Sequence, residues 1–225
     1  MDFDIRMRVL QKNLITLFII WVILFSCKRE IKNISTMEQL RQTKIVALGD
    51  SITYGFPLGR GWLYYLAKNH RVELVNSGAN GETLEQFYSR IEEGVIAHQP
   101  KYCIIMGGTN DVAHGISIAK MQNYFLKIIS ILQKVNIKPI VGIPILSTAK
   151  EIEEPLGRFR EYVRQLGFPI IDFASLFYNE VGGHKKIKLA WLPDQVHPSE
   201  EGYKAMAHLA LRRLKEIISN DNKAK

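Results

Sequence analysis

Residues 44–55 read KIVALGDSITYG. Ile45, Val46, Ala47 and Leu48 form an unbroken apolar run, the mark of a strand buried on both faces, as the crossover helices of a parallel sheet require. The run ends in Gly49-Asp50-Ser51, a tight turn that lifts a hydroxyl above the end of the strand. Near the other end of the chain, Asp194-Gln195-Val196-His197 places a carboxylate three residues before an imidazole. Serine is a poor nucleophile at neutral pH unless a base lies within hydrogen-bond reach and a carboxylate holds that base in one tautomer. Ser51, His197 and Asp194 are therefore the parts of a serine-nucleophile hydrolase, provided the fold brings the two segments together.

Working outward, further apolar runs at 72–75, 102–106, 139–143 and 169–172 alternate with helix-period segments at 62–70, 83–98, 116–135, 152–166 and 199–218. This alternation predicts an α/β fold with a parallel sheet; the expected architecture is a three-layer α/β/α sandwich around a five-stranded parallel sheet, in flavodoxin-like order 2-1-3-4-5. Ile118, Met121, Phe125, Ile128 or Ile129, Leu132 and Val135 recur at steps of three and four, a core-facing stripe. Tyr203, Met206, Ala207, Ala210, Leu214 and Ile217 do the same on the last helix, with Ser199 as its N-cap. Cys103 falls in the third strand, as a small core residue.

Sites in such sheets form where loops converge at the carboxyl ends of strands. The second strand runs into NSGANGET, residues 76–83, and the third into GGTND, residues 107–111. Gly81 can present a backbone N–H with no side chain in the way, and Asn110 a side-chain amide, both suited to an oxyanion. Asp50 and Asp111 are expected to accept hydrogen bonds from turn amides and hold their loops in shape. Phe56, Pro57, Leu58 and Trp62 are candidates for the wall of an acyl pocket, although helix packing explains Trp62 equally well. The segments 146–155 and 178–191 are expected to border the cleft. Of the other five histidines, His70 and His98 lie near helix ends, where histidine caps carbonyls, His114 follows the Asn110 loop and is expected at the surface, and His184 and His208 have no carboxylate at matching spacing, which leaves His197 as the base.

Four ordered blocks carry a resemblance: Gly49-Asp50-Ser51-Ile52-Thr53-Tyr54-Gly55, residues 76–83 with Gly81, residues 107–111 with Asn110, and Asp194-x-x-His197-Pro198. Together they resemble the SGNH hydrolases, also called GDSL-type lipases and esterases, over residues 44–217. The resemblance implies a triad of Ser51, His197 and Asp194, an oxyanion hole from the Ser51 and Gly81 N–H groups and Asn110, and ester hydrolysis without metal or organic cofactor.

The amino terminus makes a separate statement. Arg6, Arg8 and Lys12 precede LITLFIIWVILFS, residues 14–26, an uncharged run well short of the ~20 residues that span a membrane. It reads as a secretory signal. Leu24-Phe25-Ser26-Cys27 resembles the lipobox of bacterial lipoproteins, which implies lipidation of Cys27. The expected organisation is a signal peptide over 1–26, the lipidated Cys27 and a polar tether over 27–43, and the hydrolase domain over 44–220. The protein would then be exported and lipid-anchored in a bacterial cell envelope. With Cys27 lipidated, Cys103 has no partner for an internal disulfide.

The formal charge of +8, from 30 Lys and Arg against 22 Asp and Glu, favours anionic lipid or acidic polymers as neighbours. The cations are scattered apart from 185–188 and the last turns, which argues against nucleic acid. Expected partners are a small-molecule, lipid or glycan ester and the membrane through Cys27; oligomeric state is not legible. Two rival readings use the same cleft. A metal-dependent phosphoesterase could employ Asp50, Asn110, Asp111 and His197; a non-catalytic lipoprotein could bind envelope glycan or lipid there.

Overall fold

The computed structural model describes residues 18–19, 21–22, 24–26, 34–181 and 184–223. The chain divides into two compact units, Met1–Gln39 and Leu40–Lys225. Cys27 lies outside the described residues. Among the described residues, no helix is long and apolar enough to cross a membrane.

The second unit is built on five parallel strands: β1 (Ile45–Gly49), β2 (Leu74–Gly78), β3 (Tyr102–Met106), β4 (Lys138–Ile143) and β5 (Ile170–Asp172). Their spatial order is β2-β1-β3-β4-β5, the order expected from the sequence. All five residues of β1 and of β3 are buried, so these strands carry apolar side chains on both faces. Val46, Leu48, Cys103, Ile105, Val141 and Ile143 point into one core, shared with Phe87, Phe125 and Phe159. On the opposite face, α2 (Trp62–His70) packs against α8 (Glu200–Lys223), with Trp62 and Phe173 ring centroids 5.2 Å apart. The chain thus forms helical layers on both sides of one sheet.

Register decides where chemistry can sit. Gly49 pairs with Gly78 on one side and with Met106 on the other, so β1, β2 and β3 end level. The chain leaves β1 toward β2 and later crosses to β3, which makes the edge beyond Gly49 the topological switch point of the sheet.

The helices depart from the sequence reading in instructive places. Segment 83–98 is not one helix but α3 (Leu84–Ser89), α4 (Ile91–Gly94) and a 3-10 turn (Ile96–His98). The break falls at Arg90, whose backbone leaves helical geometry (φ −107°, ψ 16°) as its guanidinium turns under the sheet edge. Two one-turn helices, α1 (Ser51–Tyr54) and α5 (Thr109–Ala113), occupy what reads as loop. They are too short to display a 3.6-residue period. In α6 (Ile118–Lys134) the stripe Met121, Phe125, Ile128, Ile129 and Leu132 is buried, whereas Val135 has left the helix and is exposed. α7 (Lys150–Arg164) begins two residues earlier than predicted and contains Pro155 near its start, while α8 keeps its predicted face buried and Ser199 Oγ accepts from Gly202 N at 3.3 Å. A hairpin, β6 (Tyr178–Val181) and β7 (His184–Ile187), fills part of the segment between β5 and α8.

Candidate active site

At the end of β1, Gly49 has no room for a side chain: a Cβ there would sit 2.8 Å from the Met106 carbonyl oxygen and 2.1 Å from Thr53 Oγ1. Asp50 then caps α1, its Oδ1 accepting from Ile52 N at 3.0 Å, a contact worth about 1 kcal/mol. Burial raises the Asp50 carboxyl to about 7, against the pull of the Ile52 N–H and with a further push from Asp111. Ser51 is the first residue of α1, so its own N–H has no acceptor within that helix, while its carbonyl accepts from Gly55 N and Phe56 N.

Across the cleft, the Asp194–His197 turn closes on itself. Asp194 Oδ1 accepts from His197 N at 2.7 Å and Val196 N at 3.1 Å, which swings Oδ2 to 2.7 Å from His197 Nδ1. Burial pushes the Asp194 carboxyl up, but the hydrogen bonds from His197 and Val196 outweigh it and hold it below the usual carboxylate range. An ionised carboxylate only accepts, so Nδ1 carries the proton and Nε2 presents its lone pair. That lone pair lies 2.9 Å from Ser51 Oγ. Residues 146 positions apart are thereby placed in one hydrogen-bonded line. Ser51 is 8% exposed, whereas the Asp194 side chain is 46% exposed at the rim.

Phe56 leans on the imidazole, ring centroids 4.7 Å apart at 59°. The Tyr203 hydroxyl donates to the Phe56 carbonyl at 2.7 Å and ties that loop to α8. Trp62, by contrast, is fully buried in the core and does not face the cleft. Phe56 and Leu58 remain substantially exposed beside the site.

The loop after β2 is fastened to the strand that delivers Ser51, since Ala79 N donates to the Gly49 carbonyl at 3.0 Å. Asn76 bridges Gly78 N and the Tyr54 carbonyl. Gly81 adopts φ +76°, a conformation open to glycine at no steric cost, and space is empty where a Cβ would stand. Asn110, on α5, donates one amide N–H to the Glu82 carbonyl at 2.9 Å. Because that carbonyl can only accept, the nitrogen is the atom facing it, and the second N–H of the same amide is left to meet another acceptor. The Asp111 carboxylate accepts from Leu84 N and is itself raised by burial to about 6. Asp50 and Asp111 both hold turn amides, as their positions in the sequence suggested.

Two groups escaped the sequence reading. Arg90 donates to Glu82 Oε2 (2.6 Å), Ser77 Oγ (2.7 Å) and the carbonyls of Ser77 (2.9 Å) and Gly49 (3.4 Å), joining the ends of β1 and β2 to the Gly81 loop. Nothing in a helix-like segment marks one arginine as the one turned inward. Ser147 Oγ and Thr148 N both donate to the Gln195 carbonyl, behind the His197 turn. Among the described residues, His197 is the histidine bonded to Ser51; His70, His114 and His208 sit at or on helices, and His98 ends the 3-10 turn. Cys103 is fully buried in β3, its thiol pushed by burial up to about 12. A cavity of about 490 Å3 lies at the opposite, amino end of the strands, against Tyr102, Lys138, Pro169 and Asp221, away from this chemistry.

Residues 47–205 match the model of the GDSL-like Lipase/Acylhydrolase family. An acetylxylan esterase of Geobacillus stearothermophilus is 28% identical over 207 residues, spanning 76% of this chain and 93% of that protein. The thioesterase 1/protease 1/lysophospholipase L1 of Escherichia coli K12 is 20% identical over 186 residues, spanning 79% of this chain and 86% of that one. Among solved structures, a member of the lipolytic protein G-D-S-L family from Veillonella parvula DSM 2008 superposes with a TM-score of 0.63 at 26% identity, covering 75% of this chain and 96% of its own.

Proposed function

The chain belongs to the GDSL-like lipase/acylhydrolase family and is an ester-hydrolysing enzyme of SGNH type, and from that premise we propose that it cleaves carboxylic esters through an acyl-enzyme on Ser51. The observation that carries this reading is the continuous line Ser51 Oγ to His197 Nε2 (2.9 Å) and His197 Nδ1 to Asp194 Oδ2 (2.7 Å). As Ser51 Oγ attacks the acyl carbon, its proton passes to His197 Nε2, and Asp194 steadies the imidazolium that forms. Negative charge collects on the former carbonyl oxygen. The N–H groups of Ser51 and Gly81 and the second Asn110 amide N–H are the donors for it, each worth about 2.7–4 kcal/mol of transition-state stabilisation. Collapse expels the alcohol, which takes the proton from His197. Water then adds to the acyl-enzyme by the same route, giving the acid and restoring Ser51.

The geometry favours this over metal-assisted phosphoester cleavage. Both His197 ring nitrogens are engaged, and the Asp50 and Asp111 carboxylates are turned onto backbone amides. The leading substrate class is an acetyl ester on a glycan, supported by the extent of the match to the acetylxylan esterase. An acyl-chain-length series of aryl esters, run on wild type and Ser51→Ala, tests it. Activity greatest on acetyl and falling by about 10^4 or more in Ser51→Ala is the expected result. A maximum at long chains would move the substrate to lipids or long-chain thioesters, and no turnover on any ester would leave a binding protein.

A further inference from the structure

The carboxylate and imidazole of the proposed acid–base pair sit on an exposed turn, not on a helix or strand. Within it, Gln195 is held at φ +75°, a left-handed conformation that a residue with a Cβ adopts only where its surroundings impose it. The imposing contacts come from behind. The Gln195 carbonyl accepts two hydrogen bonds, from Ser147 Oγ at 3.0 Å and Thr148 N at 3.1 Å.

Ser147 is itself locked. It is 1% exposed, its Oγ accepts from Ala149 N at 3.1 Å, and its N donates to Glu153 Oε2 at 2.8 Å. The other oxygen of Glu153 pairs with Arg160 Nη2, and Arg160 Nη1 donates to the Ile145 carbonyl at 3.1 Å. Arg160 is 4% exposed. An ion pair on α7, its arginine buried and its carboxylate partly buried, therefore fixes the loop after β4 at Ile145 and at Ser147, and that loop carries the two donors that grip the His197 turn.

A buried arginine is costly unless its partners are complete, and Arg160 has them in Glu153 and the Ile145 carbonyl. We propose that Ser147, set in place by the Arg160–Glu153 pair, is a positioning residue for the Asp194–His197 turn: it holds Gln195 so that the imidazole stays on Ser51 Oγ. This rests on the acyl-enzyme reading above. Its consequence is that damage behind β4 is felt at the chemical step and not in substrate binding. Misplacing a catalytic group by about 1 Å can cost about 10^2-fold in rate.

The test uses Ser147→Ala and Glu153→Gln in the full chain, with kcat and KM on an acetyl ester, the rate of covalent labelling by a fluorophosphonate, and folding checked by circular dichroism. Ser147→Ala is expected to lower kcat and the labelling rate together by about tenfold, with KM within about twofold of wild type. Glu153→Gln, nearer the surface, is expected to lower both by a smaller factor in the same direction. Folded variants with wild-type kcat and labelling, or with a change confined to KM, would overturn the proposal. If Ser147→Ala does not fold, Glu153→Gln alone decides between these outcomes. Failure of the acyl-enzyme reading looks different: wild type would not label, or Ser51→Ala would keep its activity.

Discussion

Asp50 shows how one side chain can serve geometry at a cost in charge. It caps α1 and so sets the direction in which Ser51 leaves the strand, yet burial raises its carboxyl to about 7 from an ordinary 3.8. The folded protein keeps this proton across a range in which the unfolded chain has already released it. The group's contribution to stability is therefore complete below about pH 4 and is lost as pH rises toward about 7. Asn at this position caps equally well and does not titrate. Asp50→Asn should gain melting temperature relative to wild type as pH rises through that window, in scans of both proteins at ~pH 4, 5.5 and 8. A difference independent of pH would refute the assignment. Asp50, Ser51, Gly81, Asn110, Asp194 and His197, the proposed site and its cap, stand out in the sequence because they follow β1, β2 and β3 or precede α8, where polar and glycine residues contrast with apolar runs. The side chains that steady them do not: Arg90 and Ser147 act through space, from an apparent helix and from a loop expected to border the cleft and not to back the His197 turn.

At the scale of elements, the decisive joint is the one Arg90 makes. Its guanidinium meets the ends of β1 and β2 and the Glu82 side chain, while the Glu82 carbonyl orients the Asn110 amide. Gly94 permits it, because a Cβ on that residue of α4 would lie 2.8 Å from both Arg90 Nη1 and Ser77 Oγ. Lysine keeps the charge but not the planar fork of donors. Arg90→Lys should destabilise by about 1–3 kcal/mol through acceptors left unpaired, and should lower kcat through the Asn110 loop. Thermal melts and steady-state kinetics read the two effects; wild-type values in both would contradict it. The helix expected over 83–98 is interrupted at this joint. Periodicity sees the apolar face of α3 and α4, but not that the backbone leaves helical geometry at Arg90 and again at Val95. The one-turn helices α1 and α5 were illegible for a simpler reason, since four or five residues contain barely one period.

For the whole molecule, the spatial order β2-β1-β3 and the level ends of those strands place three site-bearing loops side by side, and the segment between β5 and α8 brings the Asp194–His197 turn to them. The parallel sheet followed from the alternation of apolar runs with helical segments; the β6–β7 hairpin did not, because the lysine-rich stretch there resembles solvated loop. The amino-terminal segment bears on where the enzyme works. We propose that Cys27 carries a lipid anchor, so a radiolabelled fatty acid supplied to a bacterial host should be incorporated into the full chain and not into Cys27→Ser. Unlabelled wild-type protein would refute this.

The central claim is that Ser51 is the nucleophile and that its reactivity depends on His197. Incubation with a fluorophosphonate, followed by mass spectrometry of the intact protein and its peptides, tests it most directly. The account predicts a single adduct on Ser51, loss of esterase activity in step with its formation, and labelling slowed by ~10^3-fold or more in His197→Ala. Esterase activity that persists with Ser51 unmodified, or an adduct on another residue tracking the loss of activity, would contradict it.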